Sequence, residues 1–190
     1  MPVGVVAGVI LLIGLLLTVP YNGLVSKNAA ADRTFADLDV QLQRRNDLIP
    51  NLVAAVKGAL NQEQTVFGDL ARARQAYAGA RSVPDKAAAS GQIDTGIGRL
   101  LAIVESYPQL GSNQNIRDLQ SQLEGTENRI AQARRDFNGA VTSYNVAIRS
   151  FPRSIIAGAF GFGWRPLFRA APGSTSNPTV DLGGSTTTVK

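Results

Sequence analysis

A chain of 190 residues without His or Cys lacks the commonest general base, thiol nucleophiles, the usual zinc and haem ligands, and any disulfide framework. Its hydrophobic share of 44%, mostly Ala, Leu, Ile and Val, suffices for one ordinary domain plus extras. The net charge of +5 is uneven: residues 27–80 hold seven basic and six acidic side chains, residues 81–150 eight and seven, residues 151–190 four and one. The body is therefore near neutral with signs interspersed, which argues against a nucleic-acid-binding face.

Residues 3–19 form an uninterrupted uncharged run, edged by Met1, Pro2, Pro20 and Tyr21. Counted as residues 1–23 it is long enough for a transmembrane anchor that meets the lipid bilayer. A cleaved secretory signal fits poorly. No Lys or Arg precedes the run, and the small-residue cleavage candidate Ala29, Ala30, Ala31 lies well beyond it. Tyr21 suits the interfacial aromatic position. Lys27 and Arg33 follow the run closely, and the positive-inside rule then places the N-terminus outside and the body in the cytoplasm.

From residue 27 to 77 a long helix is predicted. Its seam is Phe35, Leu38, Leu42, Arg45, Ile49, Leu52, Val56, Ala59, Glu63, Val66, Leu70, Ala73 and Tyr77, at steps of three and four. Pro50 sits inside the pattern, and because the heptad phase survives it, a kink is favoured over a break. Arg45 on the seam calls for a partner, and Glu124 or Glu127 on a later helix is the candidate.

Residues 79–92 read as a polar, small-residue connection (Gly79, Ser82, Pro84, Asp85, Ser90, Gly91), with helix resuming at Asp85 at the earliest. The next seam is Ile93, Ile97, Leu100 or Leu101, Val104 and Tyr107. Pro108 then disfavours helix, and Gly111, Ser112 and Asn113 make a turn in which Ser112 or Asn113 caps the following helix.

Residues 112–151 are the organising stretch. Ile116, Leu119, Leu123, Thr126, Ile130, Ala133, Phe137, Ala140, Tyr144, Ala147 and Phe151 trace a five-heptad seam along a rod about 58 Å long, which must find partner helices. Pro152 stops it. The following IIAGAFGFGWRPLF, residues 155–168, is too short and Gly-rich to span a bilayer and reads as a hydrophobic cap on the bundle's end. A membrane-surface or subunit contact is the alternative, with Phe160, Phe162 and Trp164 as its contact residues. Three soluble passes would leave this cap far from the anchoring membrane; a full reversal at Pro50 would make the count even and turn the cap toward lipid. Residues 169–190, rich in Pro, Gly, Ser, Thr and Asn, read as a disordered or loosely attached tail.

No phosphate cradle is present: Gly158, Gly161 and Gly163 have the wrong order for a dinucleotide fingerprint, and no Walker sequence occurs. The neighbouring acids Glu124 and Glu127, or Asp37 and Asp39, sit at helical spacings where carboxylates are solvated or ion-paired. Tyr21-Asn22, Tyr144-Asn145 and Phe137-Asn138 recur beside the seams, where amides can bridge helices or subunits.

YNGLV, DLDVQLQRRNDLIPNLVAAVKG, RLLAIVESYPQL, LEGTENRIAQARRDFNGAVTSYN and FPRSIIAGAFGF together resemble the LemA family of bacterial membrane proteins, over about residues 21–163. That resemblance implies a single-pass anchor with its N-terminus outside, a cytoplasmic up-and-down helical bundle, and a membrane-associated scaffolding role. The family often carries Trp where Phe35 stands and His where Asn46 stands, so shared catalysis by an imidazole is not implied. Its polar signature carries over to Asp39, Arg44, Arg45, Asp47, Asn51, Glu127, Asn128, Arg134, Asn138 and Asn145, read with Pro50 as architectural or contact positions.

The expected fold is all-α: a transmembrane helix at 1–23, then an elongated bundle of three to four long helices over 24–168 with its apolar cap. The expected function is a non-enzymatic membrane scaffold with no cofactor or metal, homo-oligomeric or binding membrane-protein partners. An adaptor or regulatory subunit of a membrane protease, sensor or envelope-stress system is the alternative.

Overall fold

Apolar side chains at steps of three and four wind into stripes, and the molecule is built from pairing those stripes. The computed structural model describes residues 2–58 and 64–169, without the side chains of residues 2, 3, 5–7 and 9–16. Six helices and no strand occur among the described residues: α1 (Pro2–Lys57), α2 (Gln64–Gly79), α3 (Val83–Ser106), α4 (Pro108–Gly111), α5 (Gln114–Ala147) and α6 (Arg153–Phe160). Residues 59–63 (with Ala59 and Glu63 of the predicted seam) and all but Arg169 of the expected loose tail, residues 169–190, lie outside the described residues.

Four of these helices run up and down. Tyr77 and Arg74 of α2 reach back to Asp39 and Asn46, so α2 is antiparallel to α1. Lys86 of α3 meets Asp39 while Ser90 and Asp94 meet Arg45, which sets α3 parallel to α1. Phe137 of α5 packs against Phe35 with tilted rings whose centroids are 5.3 Å apart, and Lys27 donates to Ser143 at 2.7 Å, so α5 returns antiparallel to α1. α1 lies along α5, and α2 packs on α3.

Several expectations are corrected. The single helix expected over 27–77 is two: the chain reverses between Lys57 and Gln64, while α1 runs on through both Pro20 and Pro50, as the heptad phase across Pro50 favoured. Ile49 and Leu52, fully buried on either side of Pro50, keep the helix seated despite the missing amide bond. The passes therefore number four, and α6 ends at the same level of the bundle as Tyr21, opposite to the three-pass expectation. The connection placed at 79–92 is only residues 80–82, because Ser82 caps α3 by accepting the Asp85 N–H at 3.2 Å. Asn113 caps α5 in the same way, toward Asn115. α5 ends at Ala147, and Phe151, expected on its seam, is instead 82% exposed.

The anchor expected at residues 1–23 is not seen as a separate helix, since α1 is continuous through it. Among the described residues no helix is long and apolar enough to cross a membrane, and most side chains of that run lie outside them. Beyond the bundle, α1 carries about 19 residues, or about 28 Å, toward its N-terminus. Gly4 and Gly8 there face open space, and Leu17 and Val19 are exposed.

The core follows the three predicted seams, except that Val141 is fully buried where Ala140 was expected. Leu38, Leu42, Ile49, Leu52 and Val56 of α1 meet Ile116, Leu123, Ile130, Phe137 and Val141 of α5, with Leu70, Ile93 and Leu100 from the other pair.

Candidate functional site

Two polar knots cross the core. In the first, Asp39 accepts from Tyr77 Oη at 2.6 Å and from Lys86 Nζ, whose ammonium lies 5.4 Å from the Tyr77 ring centroid and 5.5 Å from that of Phe35. A cation over two ring faces and against one carboxylate joins α1, α2 and α3 at one level, and Phe35 passes the contact to α5. Burial, then the bonded Asp39 carboxylate, pushes the Tyr77 hydroxyl well above its ordinary range, so it stays a donor.

The second knot is centred on Arg45, only 3% exposed although charged. Its Nη1 donates to Asp94 and, at 3.0 Å, to Glu127; Nη2 donates to Ser90 Oγ at 2.7 Å. Nε has no partner among the described residues. Arg45 thus meets Glu127 of α5 as its place on the seam required, whereas Asp94 is a partner the sequence reading missed. The available signal was its position next to Ile93, a seam residue on the helix that had to face α1. Burial raises the Asp94 carboxyl above its ordinary value even though the Arg45 charge pulls the other way.

Arg45 floors a groove of about 800 Å³ between α3 and α5, lined by apolar Ile97, Leu101, Leu123 and Leu167 and by charged Glu124 and Arg134. Asp94 and Glu127 at this groove turn to the buried Arg45 guanidinium, an arrangement that ties α1, α3 and α5 together. Among the described residues no group of three His, Cys, Asp or Glu is placed to hold a metal.

A third feature holds the chain's last described segment. Asn138 and Asn145, one heptad apart on α5, each grip one residue of the extended stretch after α6. Asn138 accepts from the Phe168 N–H at 2.9 Å and donates to its carbonyl at 3.0 Å; Asn145 does the same with Arg165 at 3.0 and 2.8 Å. An amide in this pose imitates a neighbouring strand. Tyr144 Oη adds a bond to the Gly163 carbonyl at 3.0 Å, and the Arg165 side chain crosses to Asn28 and Asp32 of α1. Of the recurring aromatic–Asn pairs on α5, both amides and Tyr144 therefore serve this strap, while Phe137 packs in the core.

The remaining predicted positions do not converge. Arg44, Asn51 and Asn128 are exposed, Asp47 accepts from Gln43 on its own helix, and Pro50 is half-buried within α1. Arg134 lines the groove. Asn46 is buried and accepts from Arg74 at 3.3 Å, an amide serving a helix–helix bond. Phe162 packs toward the small cluster of Leu24, Ala147, Ile156 and Ala157, while Phe160 and Trp164 are exposed.

The family model described as the LemA family matches residues 34–182. The chain is similar to Magnetosome protein MamQ of Magnetospirillum gryphiswaldense, 26% identical over 182 residues that cover 82% of this chain and 67% of that protein. Magnetosome protein MamQ 2 and Magnetosome protein MamQ 1 of Paramagnetospirillum magneticum are each 25% identical, with the same coverage of 82% and 67%.

Proposed function

This chain belongs to the LemA family, and from that premise we propose that it is a non-enzymatic, membrane-anchored helical scaffold that assembles with itself or organises partners at a bacterial membrane. The observation that carries the reading is the continuity of α1. One rod passes from the core, where it lies along α5, into a run whose first 31 residues hold a single charge, Lys27. The length projecting from the bundle, about 28 Å, is close to the roughly 30 Å of a hydrocarbon core. A rigid shaft of this kind would fix the bundle's orientation against the bilayer. Lys27, Arg33, Arg149 and Arg153 near that end favour a cytoplasmic body.

The bundle supports a structural role, since its buried ionic groups are spent on joining helices. Full-length protein expressed in bacteria should stay with the membrane through alkaline carbonate washing, and its release would overturn the anchor. Light scattering of detergent-extracted protein should give several copies per particle; a strict monomer would count against self-assembly.

The adaptor reading draws on the groove beside Arg45, whose mixed apolar and charged lining suits an amphipathic partner helix. A photo-crosslinking residue at Gln120 distinguishes the two: capture of a second copy supports the scaffold, and repeated capture of one foreign protein supports the adaptor.

A further inference from the structure

The four-pass topology brings the chain back to the end of the bundle from which the uncharged run of α1 departs. Tyr21 packs on Phe160 and Phe162 with ring centroids 5.0 and 5.8 Å apart, and Leu24 is buried against Ala147, Ile156 and Ala157. α6 is therefore seated on α1 by one face only. Its outward side leaves Ile155 63% exposed, next to Phe151 at 82%, and Phe160, although its ring meets Tyr21, stays 62% exposed. Val19 and Val25 of α1 are exposed at the same level. Large apolar groups gathered at one end of a bundle require a partner.

We propose that α6 and the turn before it form a second, peripheral membrane contact, in which Phe151, Ile155 and Phe160 enter the headgroup region of an anionic bilayer while Arg149 and Arg153 meet lipid phosphates. Charge identifies lipid as the occupant. No acidic residue occurs between Asp136 and Asp181, and none before Asp32. Arg165 is engaged by Asp32, so Lys27, Arg149 and Arg153 give this end one sign around its apolar surface. Apolar side chains inside a one-sign basic collar match an anionic lipid surface. A symmetric contact between two copies would set those same charges against each other. Level agrees as well: Tyr21 directly follows the uncharged run, so groups packed on it lie at headgroup depth when that run is in lipid. This inference rests on the anchoring reading above.

Trp164 is the single Trp in the chain, so a Trp-free background is one substitution away. In Trp164→Phe, a reporter is placed by Phe151→Trp or Ile155→Trp, both at exposed sites. Full-length protein is reconstituted into vesicles of phosphatidylcholine with phosphatidylglycerol, its helicity checked by circular dichroism and its insertion by flotation. Lipids brominated near the headgroup should quench both reporters more than lipids brominated near the chain end, and aqueous iodide should reach them poorly. Arg149→Glu with Arg153→Glu should lower that quenching about twofold or more while flotation persists. Floating protein whose reporters answer to iodide and not to bromine would sink the lipid contact and leave the anchor standing. Shielding from both quenchers would show a protein neighbour on the patch, which also overturns it. Protein that does not float removes the anchor, and the peripheral contact with it.

Discussion

Arg45 shows what a single charged residue on an apolar seam requires. A guanidinium 3% exposed is tolerable only because Asp94, Glu127 and Ser90 surround it. Arg45→Met should therefore destabilise the bundle by about 2–4 kcal/mol in urea denaturation, below the upper limit for buried pairs because Glu127 stays half-exposed. Adding Asp94→Leu should recover much of the loss, since the remaining carboxylate is solvated. The Asp94 carboxyl also sets a pH dependence. Its folded value lies above the ordinary 3.8, so its stabilising contribution is complete below that value and is lost as pH rises through the folded one. Relative to Asp94→Asn, the natural protein should gain stability as pH falls from about 7 toward 4. The opposite slope would mean that the Arg45 attraction outweighs burial.

At the scale of elements, one close approach and one strap are decisive. A Cβ at Gly96 of α3 would lie 2.7 Å from Leu70 Cδ2 and 2.8 Å from its Cγ, and Leu70 is fully buried on α2. Gly96→Ala should cost about 1–3 kcal/mol by forcing the helices apart, although alanine is the better helix former. Leu70→Val alongside it should return part of that loss. The strap depends on two amides on α5. Asn138→Leu with Asn145→Leu removes four bonds to the backbone of Arg165 and Phe168, each worth about 1 kcal/mol. Hydrogen exchange at residues 162–168 should then accelerate while α1 and α5 keep their protection. Gly161 makes the strap's departure possible: at φ 74° it takes the left-handed turn that ends α6.

For the whole molecule the governing quantity is the number of passes. With four, the last helix and the first share one end of the bundle. With three they would stand at opposite ends. A photo-crosslinker at Phe160 should capture the α1 segment around Tyr21 in detergent, where no membrane brings them together. Capture near α4 instead would contradict the architecture. The same parity places Arg149 and Arg153 at the end of the bundle from which the N-terminal part of α1 departs, so the proposed anchor and the proposed lipid contact would share one end.

Spacing alone determined the helices and most of their buried stripes, because i, i+3 and i+4 neighbours share a face through local geometry. Leu38 through Val56 and Ile116 through Ala147 were legible for that reason, as was the need of Arg45 for an acid. The reversal between Lys57 and Gln64 was not. Two antiparallel helices facing one core can keep a continuous heptad phase, so the phase that persists past Pro50 carries no information about direction. Pro50 drew the attention that belonged to a less conspicuous stretch. Asp94, the Asn138 and Asn145 grips, and the seat of α6 on Leu24 join residues dozens to more than a hundred positions apart. Such pairings arise only once helices have chosen neighbours, and that choice belongs to the packed chain as a whole.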